Sequence, residues 1–170
     1  MPLSNYLSIM VAALTMGHVN SVLADEISKP KGEIILTISG RIENTNSEGI
    51  AQLDRAMLEG LGLVDIKTAT PWFDSEMVFS GVPFSRLLEF VGAEGETITA
   101  VALNDYEVDI PISDTIETGV ILASRLNGEE MTVRNKGPLF VIYPYDDMRE
   151  LDNQTYYSRS AWQVTRLNIE

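Results

Sequence analysis

The chain contains no cysteine and a single histidine, His18. A fold built from it has no disulfide and no thiolate- or imidazole-based zinc site, so it must close on a hydrophobic core and backbone hydrogen bonds alone. The core material is sufficient, since 170 residues at 45% hydrophobic content match one globular domain. The same subtraction removes thiolate nucleophiles, haem ligation through histidine and nearly every histidine-based catalytic arrangement. Lys and Arg number 12 against 25 Asp and Glu, a formal net charge of −13. Such a surface repels phosphate backbones and anionic lipid, which argues against nucleic acid as a partner.

The N-terminus reads as an export signal. Tyr6 to Met16 (YLSIMVAALTM) is an apolar stretch, and Val22-Leu23-Ala24 follows as a small-residue cleavage pattern before Asp25 and Glu26. The expected division is a signal peptide over residues 1–24 and a single domain over 25–170. The absence of Lys and Arg ahead of the apolar stretch leaves an uncleaved anchor as the alternative. The stretch falls short of the roughly 20 apolar residues of a membrane span and is broken by Gly17, His18 and Asn20. Both readings place the domain outside the cytoplasm, periplasmic or secreted, and cleavage removes the one histidine and leaves no membrane span.

Beyond the lead-in Lys29-Pro30-Lys31-Gly32, Glu33 to Ile42 alternates as a first strand, and Ile50, Leu53, Met57 and Leu61 recur at helical spacing, with Asn46 or Ser47 as N-cap. Val64 to Thr70 and Met77 to Phe79 read as strands. Gly81-Val82-Pro83 leads into a helix over FSRLLEFVG, closed by Gly92. Ile98 to Leu103 and Glu107 to Ile112 form a hairpin across Asn104-Asp105-Tyr106, and Asp114 to Gly119 is a helical turn. Val120 to Leu126 and Met131 to Arg134 flank the two-residue turn Asn127-Gly128. Leu139 to Tyr143 is a buried strand, Tyr145 to Tyr157 a polar loop, and Ala161 to Ile169 a final strand. The sum is one α+β domain richer in strand than helix, without repeats.

Four groups of residues, taken in order, resemble a known family. They are Trp72 with Phe79-Ser80-Gly81-Val82-Pro83-Phe84 and Leu87-Leu88, and Asn104-Asp105-Tyr106 with Ile110-Pro111. The third is Leu122-Ala123, Asn127-Gly128-Glu129-Glu130-Met131, Lys136-Gly137-Pro138-Leu139 and Tyr143-Pro144, and the fourth is Arg159-Ser160-Ala161-Trp162. From about Ile34 to the C-terminus the order and spacing are similar to the sulfite oxidase-type molybdopterin-binding domain, in particular to its small exported single-domain members. The resemblance implies a mixed-sheet α+β fold, sulfite oxidase-like, whose loops at one side of the sheets cradle the pterin of a molybdenum cofactor.

The resemblance also marks what this chain lacks. Catalytic members place one cysteine thiolate on molybdenum just after the strand that precedes the Trp and Gly-Val-Pro region; here that place reads Lys67-Thr68-Ala69-Thr70-Pro71-Trp72 and holds no sulfur. A threonine hydroxyl is a hard, protonated substitute for a soft anionic ligand. The family's Arg-Ser-Val-Lys-Trp run becomes Arg159-Ser160-Ala161-Trp162-Gln163, keeping the Arg and Ser and losing the Lys. The residues expected to bind a molybdopterin or another pterin are Thr68, Thr70, Trp72, Tyr106, Arg134, Lys136, Arg159 and Ser160, with no catalytic and no metal-binding residue assigned.

Each candidate has a plainer reading. Arg125, Arg134 and Lys136 serve equally as salt-bridge partners for the many carboxylates, and Tyr143 and Trp162 suit the core. Trp72 and Tyr106 divide evenly between core and pocket wall, as flat rings that stack on a flat heterocycle. The acidic run Asp146 to Asp152 lacks the Gly and ligand spacing of an EF-hand loop and reads as solvated loop. Carboxylate pairs such as Asp105 with Glu107 come with no glycosidase motif, and no serine sits in a nucleophile elbow. The expected function is an exported, non-catalytic module that binds a pterin-like ligand or a periplasmic protein partner. The alternative is a molybdopterin-dependent oxidoreductase that works without a cysteine ligand.

Overall fold

The computed structural model describes residues 27–170; the expected signal segment, residues 1–24, lies outside the described residues. Two sheets form the domain. The first has the order β2-β1-β10-β5-β6, from β1 (Ile34–Gly40), β2 (Ala51–Asp54), β5 (Thr97–Ala102), β6 (Glu107–Pro111) and β10 (Val164–Ile169). It is mixed, because β1 and β10 run parallel while the other pairs are antiparallel. The second is antiparallel: β3 (Val64–Thr68), β4 (Met77–Pro83) and β7 (Ile121–Leu126), with β8 (Glu129–Glu130) and β9 (Phe140–Ile142) both pairing with β7. Among the described residues four short helices, α1 (Arg55–Gly60), α2 (Phe84–Val91), α3 (Ile112–Glu117) and α4 (Gln154–Arg159), complete the α+β fold. None of the described helices is long and apolar enough to cross a membrane.

The sheets follow from side-chain period. Leu36 and Ile38 of β1 alternate into the core, and β9 is buried along its whole length. In α2 the fully or nearly buried Phe84, Leu87, Leu88 and Val91 recur on one face, and Gly92 ends the helix in the left-handed conformation. At Gly81 the strand passes so close to β7 that a Cβ would meet the Ala123 Cα at 2.5 Å, so only glycine fits the kink where the β4–β7 register shifts.

Several sequence expectations are corrected. The expected helix from Ile50 to Leu61 is a strand followed by a helix. Ala51 and Leu53 point into the core as β2, and Asp54, not Asn46 or Ser47, caps α1. Its Oδ1 accepts from Met57 N at 2.9 Å, while Oδ2 accepts from Lys31 N and Gly32 N at 2.8 Å each, so one buried carboxylate starts the helix and ties down the lead-in. The strand at Met77 to Phe79 runs on to Pro83, because Gly81 and Val82 stay paired with β7. Met131 to Arg134 is not a hairpin strand: only Glu129 and Glu130 pair, and Val133–Asn135 is a 3₁₀ turn. The polar stretch after Tyr145 contains a second 3₁₀ turn at Arg149–Leu151 and then α4, capped by the Asn153 side chain.

The three backbone donors on Asp54, Met57 foremost, hold its carboxyl below the ordinary value of 3.8. A lowered folded-state pKa stabilises fully above the ordinary value and is lost as pH falls through the lowered one. Asp54→Ala is therefore expected to lower the thermal unfolding midpoint by a few degrees at neutral pH. The gap between wild type and variant, followed by circular dichroism, should close only when the medium is more acidic than that ordinary value.

Candidate functional site

An open cleft of about 500 Å³ lies where the two sheets part. Three stretches wall it: Pro71 and Trp72 from the loop after β3, Ala102, Asn104 and Tyr106 from the β5–β6 hairpin, and the segment from Gln154 through α4 to Trp162. Backbone bonds fix the last two stretches to each other and to the second sheet. Leu103 N donates to Gln163 O, Gln163 N to Lys136 O and Val141 N to Ala161 O, each at 2.9 Å. Asp105, Lys136 and Gln163 all adopt positive φ (59°, 68° and 56°), a backbone region that non-glycine residues rarely enter. Three such residues at the cleft margin mark a backbone held in place by its surroundings.

Aromatic side chains dominate the walls. Trp72 is half-buried and packs against both hydrophobic clusters of the core. Its ring lies 5.9 Å from Tyr157 at 77° and 5.8 Å from Trp162 at 64°, so each neighbour stands near perpendicular to it. Tyr106 is 52% exposed and Trp162 39% exposed, both large rings left open to solvent at the rim. The Tyr157 hydroxyl donates to Asp152. That bond, with burial and the negative charges of Asp152 and Asp146, pushes Tyr157 up to about 12, so it stays protonated at neutral pH. At the inner end, Ser160 Oγ donates to Tyr156 O at 2.8 Å, which leaves the Tyr145 hydroxyl to donate to Ser160 at 2.5 Å. Burial also pushes Tyr145 up.

The sequence-derived candidates divide. Trp72, Tyr106 and Ser160 meet in the cleft. Thr68 and Thr70 are buried just before the Pro71-Trp72 wall. Thr68 Oγ1 accepts from Asp146 N at 3.2 Å, whereas Thr70 Oγ1 is buried without a hydrogen-bond partner. Lys136 stands outside the cleft lining, its ammonium 4.4 Å from the Trp162 ring centroid and 5.9 Å from that of Phe73. Arg134 is exposed on the 3₁₀ turn Val133–Asn135.

Arg159 points into a different network. Its guanidinium donates to Asp114 Oδ2 at 2.9 Å, and the same buried carboxylate accepts from the Tyr143 hydroxyl at 2.7 Å. Burial, then the bond to Asp114, pushes the Tyr143 hydroxyl far above its ordinary value. Tyr143 is thus the core residue the sequence suggests. Arg125 pairs with Glu59 at 2.8 Å and with Glu130 at 3.7 Å, which is its plainer reading. Burial pushes Glu59 up, but hydrogen bonds from Arg125 and Ser124 and the charges of Arg125 and Arg55 outweigh it and hold the carboxyl low. Among the described residues the cleft lining holds no Lys or Arg.

Trp162 was expected in the core and instead forms a rim of the cleft. Its backbone bridges Phe140, and its ring packs edge to face on the Phe140 ring at 6.1 Å while part of it stays exposed. Gln154 escapes a reading of the sequence, which gives a loop where α4 stands; Asn153, an N-cap residue just ahead of it, is the available signal.

Comparison with known proteins adds the following. A family model described as "Oxidoreductase molybdopterin binding domain" matches residues 35–146. Among solved structures, the crystal structure of the sulfane dehydrogenase SoxCD from Paracoccus pantotrophus is similar, with a TM-score of 0.53 and 18% sequence identity over 79% of this chain. The match covers 37% of that chain, so the present one spans well under half its length, and the likeness is one of fold. No curated protein matches this sequence.

Two outcomes are expected. Arg159→Ala leaves the Asp114 carboxylate buried with Tyr143 as its remaining donor and should lower stability in denaturant titration by about 2 kcal/mol. Thr70→Val removes an unpartnered hydroxyl at nearly constant volume and should raise stability by about 1 kcal/mol in the same titration.

Proposed function

The chain belongs to the oxidoreductase molybdopterin-binding domain family, and from that premise we propose that it is an exported, non-catalytic binding module which takes a flat heterocyclic ligand, pterin-like in shape, into the aromatic cleft. The observation that carries this reading is the open 500 Å³ volume walled by Trp72, Tyr106, Tyr157 and Trp162. It falls within the size range of small-ligand pockets, and its polar groups are few: the Asn104 and Gln154 amides and the Ser158 and Ser160 hydroxyls. Rings supply stacking area, and the amides supply both donors and acceptors for the edge of a heterocycle.

The complete molybdenum cofactor does not fit these residues. No cysteine exists to place a thiolate on the metal. The residues at the corresponding place with buried oxygens, Thr68 and Thr70, present neutral hydroxyls. A phosphate group needs nearby cations, and Arg159 is held by Asp114 at 2.9 Å. Export is supported by the Tyr6 to Ala24 sequence pattern. The absence of a candidate nucleophile–base pair in the cleft wall supports a binding role over a catalytic one.

The test has two arms. Calorimetry of the purified chain with pterin should give saturable one-to-one binding, and Trp162→Ala or Tyr106→Ala, both at exposed positions, should weaken it about tenfold, or ~1.4 kcal/mol. Metal analysis of protein purified from its natural source should find no stoichiometric molybdenum. Stoichiometric metal with turnover of an oxidisable sulfur compound would replace this reading with that of a cysteine-independent oxidoreductase. No pterin affinity, with both variants folded, would move the function to a protein partner.

A further inference from the structure

The charge around the cleft selects among flat ligands. We infer that the site prefers a small organic cation, an N-alkylated aromatic or quaternary ammonium group, over a neutral or anionic ring of the same shape; this rests on the cleft being a ligand site. Three independent features of the structure converge on it.

The first is the arrangement of rings. Tyr157 and Trp162 stand near perpendicular to Trp72 at 5.9 and 5.8 Å, and Tyr106 closes the rim. These rings pack on one another edge to face and together line one volume, which gives a bound cation more than one aromatic surface to contact. The second is the local field. Asp152 accepts from the Tyr157 hydroxyl, and Asp146, anchored by Ala69 N at 2.7 Å beside the Pro71-Trp72 wall, adds a second negative charge at the same tyrosine. A phenol that donates to a carboxylate carries a more electron-rich ring, and carboxylates just behind an aromatic wall add long-range attraction.

The third is the position of the nearest cations. Arg159 is neutralised by Asp114 at 2.9 Å and Arg166 by Asp105 at 2.7 Å, at two margins of the cleft. Lys136 lies 4.4 Å from the Trp162 ring centroid, outside the lining, and shows that this indole already accepts an ammonium. Its charge opposes a cationic ligand, whereas the carboxylates of Asp152 and Asp146 favour one. The anionic character of the chain as a whole, −13, acts in the same direction.

The experiment compares three bicyclic probes of nearly equal shape by calorimetry on the full chain: N-methylquinolinium, quinoline and quinoline-2-carboxylate. The expected order is cation over neutral over anion, with at least tenfold between the first and last and a difference that shrinks at high salt. Asp152→Asn should weaken the cation severalfold and leave quinoline unchanged, whereas Lys136→Gln should strengthen the cation and again leave quinoline unchanged. Both positions are outside the cleft lining, so a merely structural effect would move all three probes together. Equal or reversed affinities would overturn the cation preference while leaving the cleft a binding site. Loss of binding for all three probes and for pterin would overturn both readings.

Discussion

Four consecutive residues, Ala161 to Val164, bond to both sheets at once. Ala161 O accepts from Val141 N and Val164 N donates to Leu139 O, which grips the strand β9 of the second sheet. Gln163 O accepts from Leu103 N at the end of β5, in the first sheet, and its N–H reaches Lys136 O. The same chain then becomes β10, the middle strand of the first sheet. These bonds run through the backbone, so they hold whatever side chains the segment carries. The cleft is the space left on the outer side of this seam. Trp162, bridged to Phe140 by its backbone, packs its ring edge to face on Phe140 and Trp72 and stays partly open to solvent at the rim.

A surplus of acidic side chains determines what the few cations can do. Arg159 satisfies Asp114; Arg55 and Arg125 converge on Glu59 and Glu130; Arg166 pairs with Asp105 and Lys67 with Glu76. Of these, the Asp114 and Glu59 pairs are well shielded from solvent, and removing a partner there leaves a carboxylate with too few donors. The exposed pairs contribute little to stability individually. Their effect on the cleft is nevertheless the same: Arg159 and Arg166 at its margins are engaged by carboxylates, Lys136 stands beside Trp162 outside the lining, and the lining itself is left with rings, amides and hydroxyls.

Local pattern made part of this visible in the sequence. Leu36 and Ile38 on β1, the Phe84-Leu87-Leu88-Val91 face ended by Gly92, and the β5–β6 hairpin across Asn104 to Tyr106 all follow from period and turn chemistry within a few residues. The Ile50-Leu53-Met57-Leu61 spacing misleads because four apolar residues at that interval satisfy a helical period, while the ladder to β1 that makes Ala51 to Asp54 a strand lies in another part of the chain. Of the residues that line the cleft, Trp72, Tyr106 and Ser160 are among those the family resemblance implies. The engagement of Arg159 is not implied by it, since its partner Asp114 is 45 residues away and on a different element. Nor is the exposure of Trp162, which depends on where a backbone seam turns rather than on the residue type.

An aromatic cleft that stays open has a cost that needs an explanation. Burying apolar surface contributes roughly 25 cal/mol per Å², so a domain gains by folding Tyr106 and Trp162 inward or by filling the space with longer side chains. Here the space is bordered instead by Ala102, Ala161 and Ser158, small residues that cannot fill it, and by Trp72, which is braced edge-on by Phe140, Tyr145, Tyr157 and Trp162. The bracing is what prevents collapse: moving Trp72 into the cleft would empty its contacts with both hydrophobic clusters at once. A wall that rigid keeps the space open, with aromatic rings along it and, among the described residues, no Lys or Arg in its lining.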